Sequence, residues 1–143
     1  MAPAHVLVAL DGSPLAEAAL SEALDVFDCR VTVLNVVTPV DASMSESGVL
    51  GSGEARREAA HEHAEDVLSS ARKRAAQIDR TVDTAVETGD PAETIVAYAE
   101  DSDVDHVVVG GHGGDRGDLS RRLLGTVATT VVSEAPVTVT VVR

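Results

Sequence analysis

The chain has 143 residues, of which 44% are hydrophobic, and carries 24 acidic against 11 basic side chains for a formal net charge of −13. That length suits one domain over residues 1–143 with a real core. The acidity argues against nucleic acid and anionic membrane surfaces as partners, because both repel it.

No apolar run approaches the ~20 residues needed to cross a bilayer, and Met1 to His5 lack a basic stretch leading into an apolar one, so the expected location is the cytoplasm. Cys29 is the single cysteine, which rules out an intrachain disulfide or a cysteine metal site. Phe27 and Tyr98 are the only Phe, Tyr or Trp residues, so the core must be built from Val, Leu, Ile and Ala. Lys73 is the only lysine. Many acids with so little lysine is a composition expected of a protein living in high salt, where screening relieves self-repulsion.

Val6–Leu10 is an unbroken apolar run, the mark of a strand buried on both faces. Ser13 then offers an N-cap and Pro14 a first helical position. Ala16, Ala19, Leu20, Ala23, Leu24 and Phe27 follow at helical spacing. Val31–Val37 reads as the second strand and the Gly/Ser-rich residues 41–53 as a mobile loop. Glu54–Ile78 reads as a long helix with Ala64, Val67, Leu68, Ala71, Ala75 and Ile78 inward, and Val82–Thr88 as the third strand.

Gly89-Asp90-Pro91-Ala92-Glu93 is the clearest helix start: Asp90 caps, Pro91 opens, and Glu93 is placed to return a capping-box contact. Ala92, Ile95, Val96 and Ala99 face inward. His106–Gly110 is the fourth strand, Leu119 to Ala135 the last helix, and Val137–Val142 the last strand. Strands alternating with helices predict a three-layer α/β/α domain with a five-stranded parallel sheet.

In such sheets ligands sit beyond the C-terminal strand ends. That rule selects Leu10–Pro14, Asn35–Thr38 and the loop from Gly110. The last is the most unusual segment, with five glycines in the eight residues 110–117. Glycines cost backbone entropy but let amides approach phosphate oxygens closely; the competing reading is a tight connection without a ligand. A P-loop is excluded, because Lys73 lies inside the long helix, and the turn after the first strand has one glycine where a dinucleotide fingerprint needs three.

Gly110-Gly111-His112-Gly113, Leu123-Leu124-Gly125-Thr126-Val127 and Ala135-Pro136-Val137 together resemble the C-terminal signature of the universal stress proteins, in the nucleotide-binding alpha hydrolase-like superfamily. Val8-Ala9-Leu10-Asp11-Gly12-Ser13 resembles their opening strand and turn, and Gly89-Asp90-Pro91 and Asp105–Gly110 their middle segments. The resemblance runs over the whole chain in order and implies strand order 3-2-1-4-5.

It also implies ATP as the ligand, with AMP or ADP as alternatives and Mg2+ as a companion of ATP. The implied binding set is Leu10, Asp11, Val36, Gly110, His112, Gly113, Gly125, Thr126 and Val127. In it Asp11 meets the nucleoside end, the Val36 backbone meets adenine, and Gly110, Gly113, Gly125 and Thr126 surround the phosphates. A homodimer through Val137–Val142 is implied too.

Eleven residues separate Gly113 from Gly125 where the family's nucleotide binders have nine. That longer loop favours a second reading, a dimeric interaction module without nucleotide. A third reading, slow ATP hydrolysis, lacks a clearly placed general base. Countercharge for phosphates must come from backbone amides, Arg116, Arg121, Arg122 or a divalent ion. Asp11, Ser13 and His112 could make a triad, but Ser13 is better explained as an N-cap. Asp115 and Asp118 could help hold a metal or simply solvate the loop. His61 and His63, two apart on a helix, point to different sides. His5 and His106 read as edge residues, and Cys29 as a small buried hydrophobe.

Overall fold

The unbroken apolar runs become strands covered on both faces. In the computed structural model, which describes residues 2–38, 52–112 and 124–143, β1 (His5–Ala9), β2 (Arg30–Val37), β3 (Asp83–Thr88), β4 (His106–Gly110) and β5 (Thr138–Val142) form one parallel sheet in the order β3-β2-β1-β4-β5. The connections carry α1 (Pro14–Val26), α2 (Ser52–Ala76), α3 (Pro91–Asp101) and α4 (Thr126–Glu134).

Side chains alternate along each strand, and both sets are buried. Val6 and Val8 of β1, Val31 and Val33 of β2 and Val108 of β4 meet α1 and α2 through Ala19, Leu20, Leu68 and Ala71. Leu7, Leu34, Val107 and Val109 point the other way and meet Ala92 and Ile95 of α3 and Val131 of α4. The result is the expected α/β/α sandwich with the expected strand order. Burial of these aliphatic side chains stabilises it by roughly 1.5–3 kcal/mol each. Among the described residues, no helix is long and apolar enough to cross a membrane.

The predicted helix starts are present. Ser13 Oγ accepts from the Ala16 amide at 3.4 Å and Asp90 Oδ2 from the Glu93 amide at 3.0 Å, each with proline just inside. The Glu93 side chain makes no return contact, so only half of the capping box forms.

Several boundaries differ from expectation. β1 begins at His5 and ends before Leu10. β3 and β5 begin one residue late, at Asp83 and Thr138. α2 begins at Ser52, so the loop read over 41–53 is shorter at its end; residues 39–51 lie outside the described ones. Ile78 is not on the buried face of α2 but 50% exposed, because the helix has already closed. The Arg80 amide reaches back to the Ala75 carbonyl and the Asp79 amide to that of Ala76, with Asp79 left-handed at φ 56°. That is a Schellman closure built on aspartate rather than glycine. α3 ends similarly, with Asp103 at φ 54° and the Val104 amide on the Ala99 carbonyl.

The last helix begins at Thr126 rather than Leu119. Leu124 and Gly125 are non-helical, and Gly125 holds the extended backbone of an N-cap. Residues 119–123 lie outside the described ones.

His5 is not an edge residue. It is 6% exposed, and its ring lies 3.2 Å from the Ser102 carbonyl through Nδ1 and 2.7 Å from Thr32 Oγ1 through Nε2. A carbonyl can only accept, so Nδ1 donates to it, and Nε2 shares the second hydrogen bond with the Thr32 hydroxyl. Asp105 clamps the same strand start, its carboxylate accepting from the Ala4 and His5 amides at 2.7 and 2.9 Å. Cys29 is half-buried against the α1–α2 core.

His106 is half-buried too. It lies 2.7 Å from Thr140 Oγ1 through Nε2, and its ring centroid lies 4.8 Å from that of Phe27. Burial holds its pKa below the ordinary 6.5. The unfolded chain therefore protonates first as pH falls, and stability is lost as pH drops below 6.5 towards the folded value. The unfolding midpoint of wild type should thus fall more steeply between about pH 7.5 and 5.5 than that of His106→Gln, followed by circular dichroism; parallel slopes would remove His106 from the acid response.

Candidate functional site

The turn leaving β1 is held from below. The Leu10 amide donates to the Leu34 carbonyl at 2.9 Å, and the buried Asn35 side chain donates to the Leu10 carbonyl at 2.9 Å. Asp11 Oδ1 accepts from the Ser13 amide at 2.9 Å, closing an Asx turn that leaves its other oxygen without a partner among the described residues. Gly12 has φ +87°, and a Cβ there would lie 3.3 Å from Val67 Cγ2 and 3.6–3.7 Å from the His63 ring. The middle of α2 therefore rests directly on the β1–α1 turn.

The exit of β4 is tighter still. A Cβ on Gly110 would meet the Leu15 carbonyl carbon at 3.0 Å and the Ala16 nitrogen at 3.1 Å, so any larger residue would require α1 to give way by a few tenths of an ångström. The Gly111 amide donates to the Val142 carbonyl at 2.7 Å, and the Gly125 amide to the Gly111 carbonyl at 2.6 Å. These bonds tie the exit of β4 to the end of β5 and to the start of α4. A Cβ on Gly125 would come within 3.2 Å of the His112 Cα. Gly110, Gly111 and Gly125 thus have packing reasons to be glycine, and two of these amides are already used within the chain.

Among the described residues, what is left open is the first turn of α4. Gly125 has no side chain to cap it, and no side-chain cap bond forms there. Thr126, Val127 and Ala128 follow, and their amides precede the first intrahelical bond, which runs from Thr129 to Gly125. Beside them, His112 Nδ1 is buried without a hydrogen-bond partner.

These parts border one cleft of about 920 Å3 at the C-terminal edge of the sheet. The cleft brings together Leu10, Asp11, Val36, Gly110, His112, Gly125, Thr126 and Val127, all of them anticipated from the sequence. Gly113, like Arg116, Arg121, Arg122, Asp115 and Asp118, lies outside the described residues. Ser13 borders the same cleft, but its Oγ is spent on the α1 cap, so no triad forms around it.

Sequence reasoning missed two further walls. Pro91 and Ile95 come from the start of α3, and Arg56 and His63 from α2. The α2 signal was present in the spacing: Arg56, Ala60, His63 and Val67 recur at intervals of four, three and four, one helical face.

Among the described residues, the titratable groups on the cleft wall are Asp11 against Arg56, His63 and His112. Asp11 and Arg56 balance one another, so in a chain of net charge −13 the wall is a local relief of the negative field, suited to an anionic or phosphorylated ligand. No group of three or more His, Cys, Asp or Glu among the described residues is arranged to hold a metal ion.

Comparison with known proteins places this geometry in context. The model of the universal stress protein family matches residues 4–143. A universal stress protein of Methanocaldococcus jannaschii is 31% identical over 143 residues, covering 96% of this chain and 81% of that protein. UspA from Lactobacillus plantarum is 26% identical, with a TM-score of 0.80 over 100% of this chain and 99% of its own. A family protein from Arabidopsis thaliana, whose crystal structure has AMP bound, is 20% identical, with a TM-score of 0.69 over 98% of this chain and 91% of its own.

The close passage at β4 carries a direct test. Gly110→Val should lower stability to urea by about 1–3 kcal/mol, because the first turn of α1 must shift to admit the side chain. An unchanged midpoint would show that α1 yields without cost.

Proposed function

The chain belongs to the universal stress protein family, and we propose that it binds ATP or a related adenine nucleotide in this cleft and serves as a homodimeric stress-response module in the cytoplasm rather than as an enzyme. The observation that carries the reading is the uncapped first turn of α4 on the cleft wall. Free N–H groups and the positive end of the helix dipole favour an anion there.

In this reading the amides of Thr126 and Val127 and the Thr126 hydroxyl receive the phosphates, with Gly125 leaving room for them. Gly113 completes that cradle by analogy with the family pattern. The other oxygen of Asp11 accepts from a ribose hydroxyl, and the backbone at Val36 meets the base against the apolar wall of Ile95. Leu10, Gly110 and His112 form the floor. The Arabidopsis relative, with AMP bound in the same fold, supports this choice of ligand class. Asp11 is the one carboxylate among the described cleft residues, so a Mg2+ accompanying ATP would be held chiefly by the phosphates.

β5 lies at the edge of the sheet. Its outer backbone groups, and the alternating Val139 and Val141, suit pairing with a second copy through Val137–Val142. Occupancy of the cleft would then bias the loops around it and so inform a partner.

A second reading, an interaction module without nucleotide, is favoured by the internal use of the Gly111 and Gly125 amides. Native mass spectrometry of the purified protein and calorimetry with ATP, AMP and adenosine separate the two. One nucleotide per chain, bound more tightly than adenosine, is expected. Absence of both co-purified nucleotide and binding heat would leave the interaction module standing.

A further inference from the structure

The nucleotide reading, on which this inference rests, draws its phosphate contacts from α4 and leaves the opposite wall of the cleft without a role. We propose that Arg56 of α2 is the cationic side chain that engages the phosphates of the bound nucleotide, so that the ligand is held between α4 amides on one face of the sheet and a guanidinium on the other.

The placement comes from packing. Val67 is 7% exposed and rests on the β1–α1 turn, and the His63 ring lies over Gly12. One and two helical turns further towards the start of α2, Ala60 and Arg56 continue the same face, and both border the cleft. The face that carries Arg56 is therefore oriented by its own buried end. α1 and α2 cover one side of the sheet and α3 and α4 the other. A ligand at the strand ends is then flanked by Arg56 from one layer and by Thr126 and Val127 from the other.

The charge pattern and the cleft lining together select the same residue. Arg30, Arg72 and Arg74 are matched by Asp83, Glu65 and Glu17. Arg80 is spent on the carbonyls of Leu24 and Cys29. The guanidinium of Arg56, like those of Arg57 and Arg143, makes no hydrogen bond or ion pair with a described residue, although acids outnumber bases by 24 to 11 in this chain. It is the only arginine among the described residues that borders the cleft. Lys73, the sole lysine, sits in the last turn of α2. A guanidinium offers two parallel N–H donors to a phosphate, a contact that an unphosphorylated nucleoside cannot make.

The test compares ATP with adenosine by calorimetry on wild type, Arg56→Gln, Arg56→Lys and Arg57→Gln, with folding checked by circular dichroism. Arg57 is the neighbouring exposed arginine and does not border the cleft. Arg56→Gln should weaken ATP about tenfold or more while adenosine binding stays unchanged. Arg56→Lys should recover part of the loss, Arg57→Gln should match wild type, and the salt dependence of ATP binding should be shallower in Arg56→Gln. Unchanged ATP affinity in Arg56→Gln, or equal losses for ATP and adenosine, would overturn the assignment while leaving the nucleotide reading intact. A wild-type protein that binds no ATP would instead remove the nucleotide reading, and this assignment with it.

Discussion

At Gly110 the end of β4 and the first turn of α1 come so close that a side chain would fit only if the helix gave way by a few tenths of an ångström. The β1–α1 turn, with Asp11, the α1 cap and the contact with His63, is built on that approach. From below, Asn35 anchors the same turn by donating to the Leu10 carbonyl. On the far side, Gly111 and Gly125 bind the β4 exit to β5 and to the start of α4. The cleft is what remains between these glycine-mediated contacts, a space left at the edge of an otherwise filled sandwich.

Electrostatics gives that space its character. The ion pairs of this chain, such as Arg30 with Asp83 at 2.7 Å, lie on exposed surface and contribute little each. They leave a large excess of negative charge, and an anionic ligand approaching such a molecule meets repulsion over most of its surface. The cleft relieves that excess locally through Arg56, which offsets Asp11, and through the amides at the start of α4. Helix amides are well suited to this task because they are neutral groups whose orientation is set by the fold, and they cost the free protein no buried charge.

The polar residues inside the sandwich follow the same economy. His5, Thr32 and Ser102 satisfy one another in a chain of hydrogen bonds between β1, β2 and the α3–β4 connection, and Asp105 closes the strand start. With these groups paired, the sheet can be covered on both faces without stranded donors. His112 Nδ1 stands apart: buried, unpartnered and on the cleft wall. A polar atom left in that condition is costly unless a ligand supplies its partner.

Much of the architecture was legible in the residues alone. Val6–Val8 and His106–Gly110 could hardly be other than buried strands, since their apolar runs are β-branched and too short for helices. Ser13-Pro14 and Asp90-Pro91 announced their helices through local chemistry that tertiary contacts did not override. The ends of α2 and α3 were less visible, because aspartate stands where glycine usually marks a left-handed residue. The edge placement assigned to His5 failed because its partners, Thr32 and Ser102, are far away in the chain.

Local pattern therefore determined the elements, their order and the strand ends where a ligand would sit. Which helix faces border the cleft was decided only by the assembled sheet, which brought Arg56 and His63 of α2 onto the turn after β1. The same assembly used the Gly111 and Gly125 amides internally and, among the described residues, left the start of α4 open. Those outcomes depend on close approaches between backbones distant in sequence, and one-dimensional spacing carries no record of such distances.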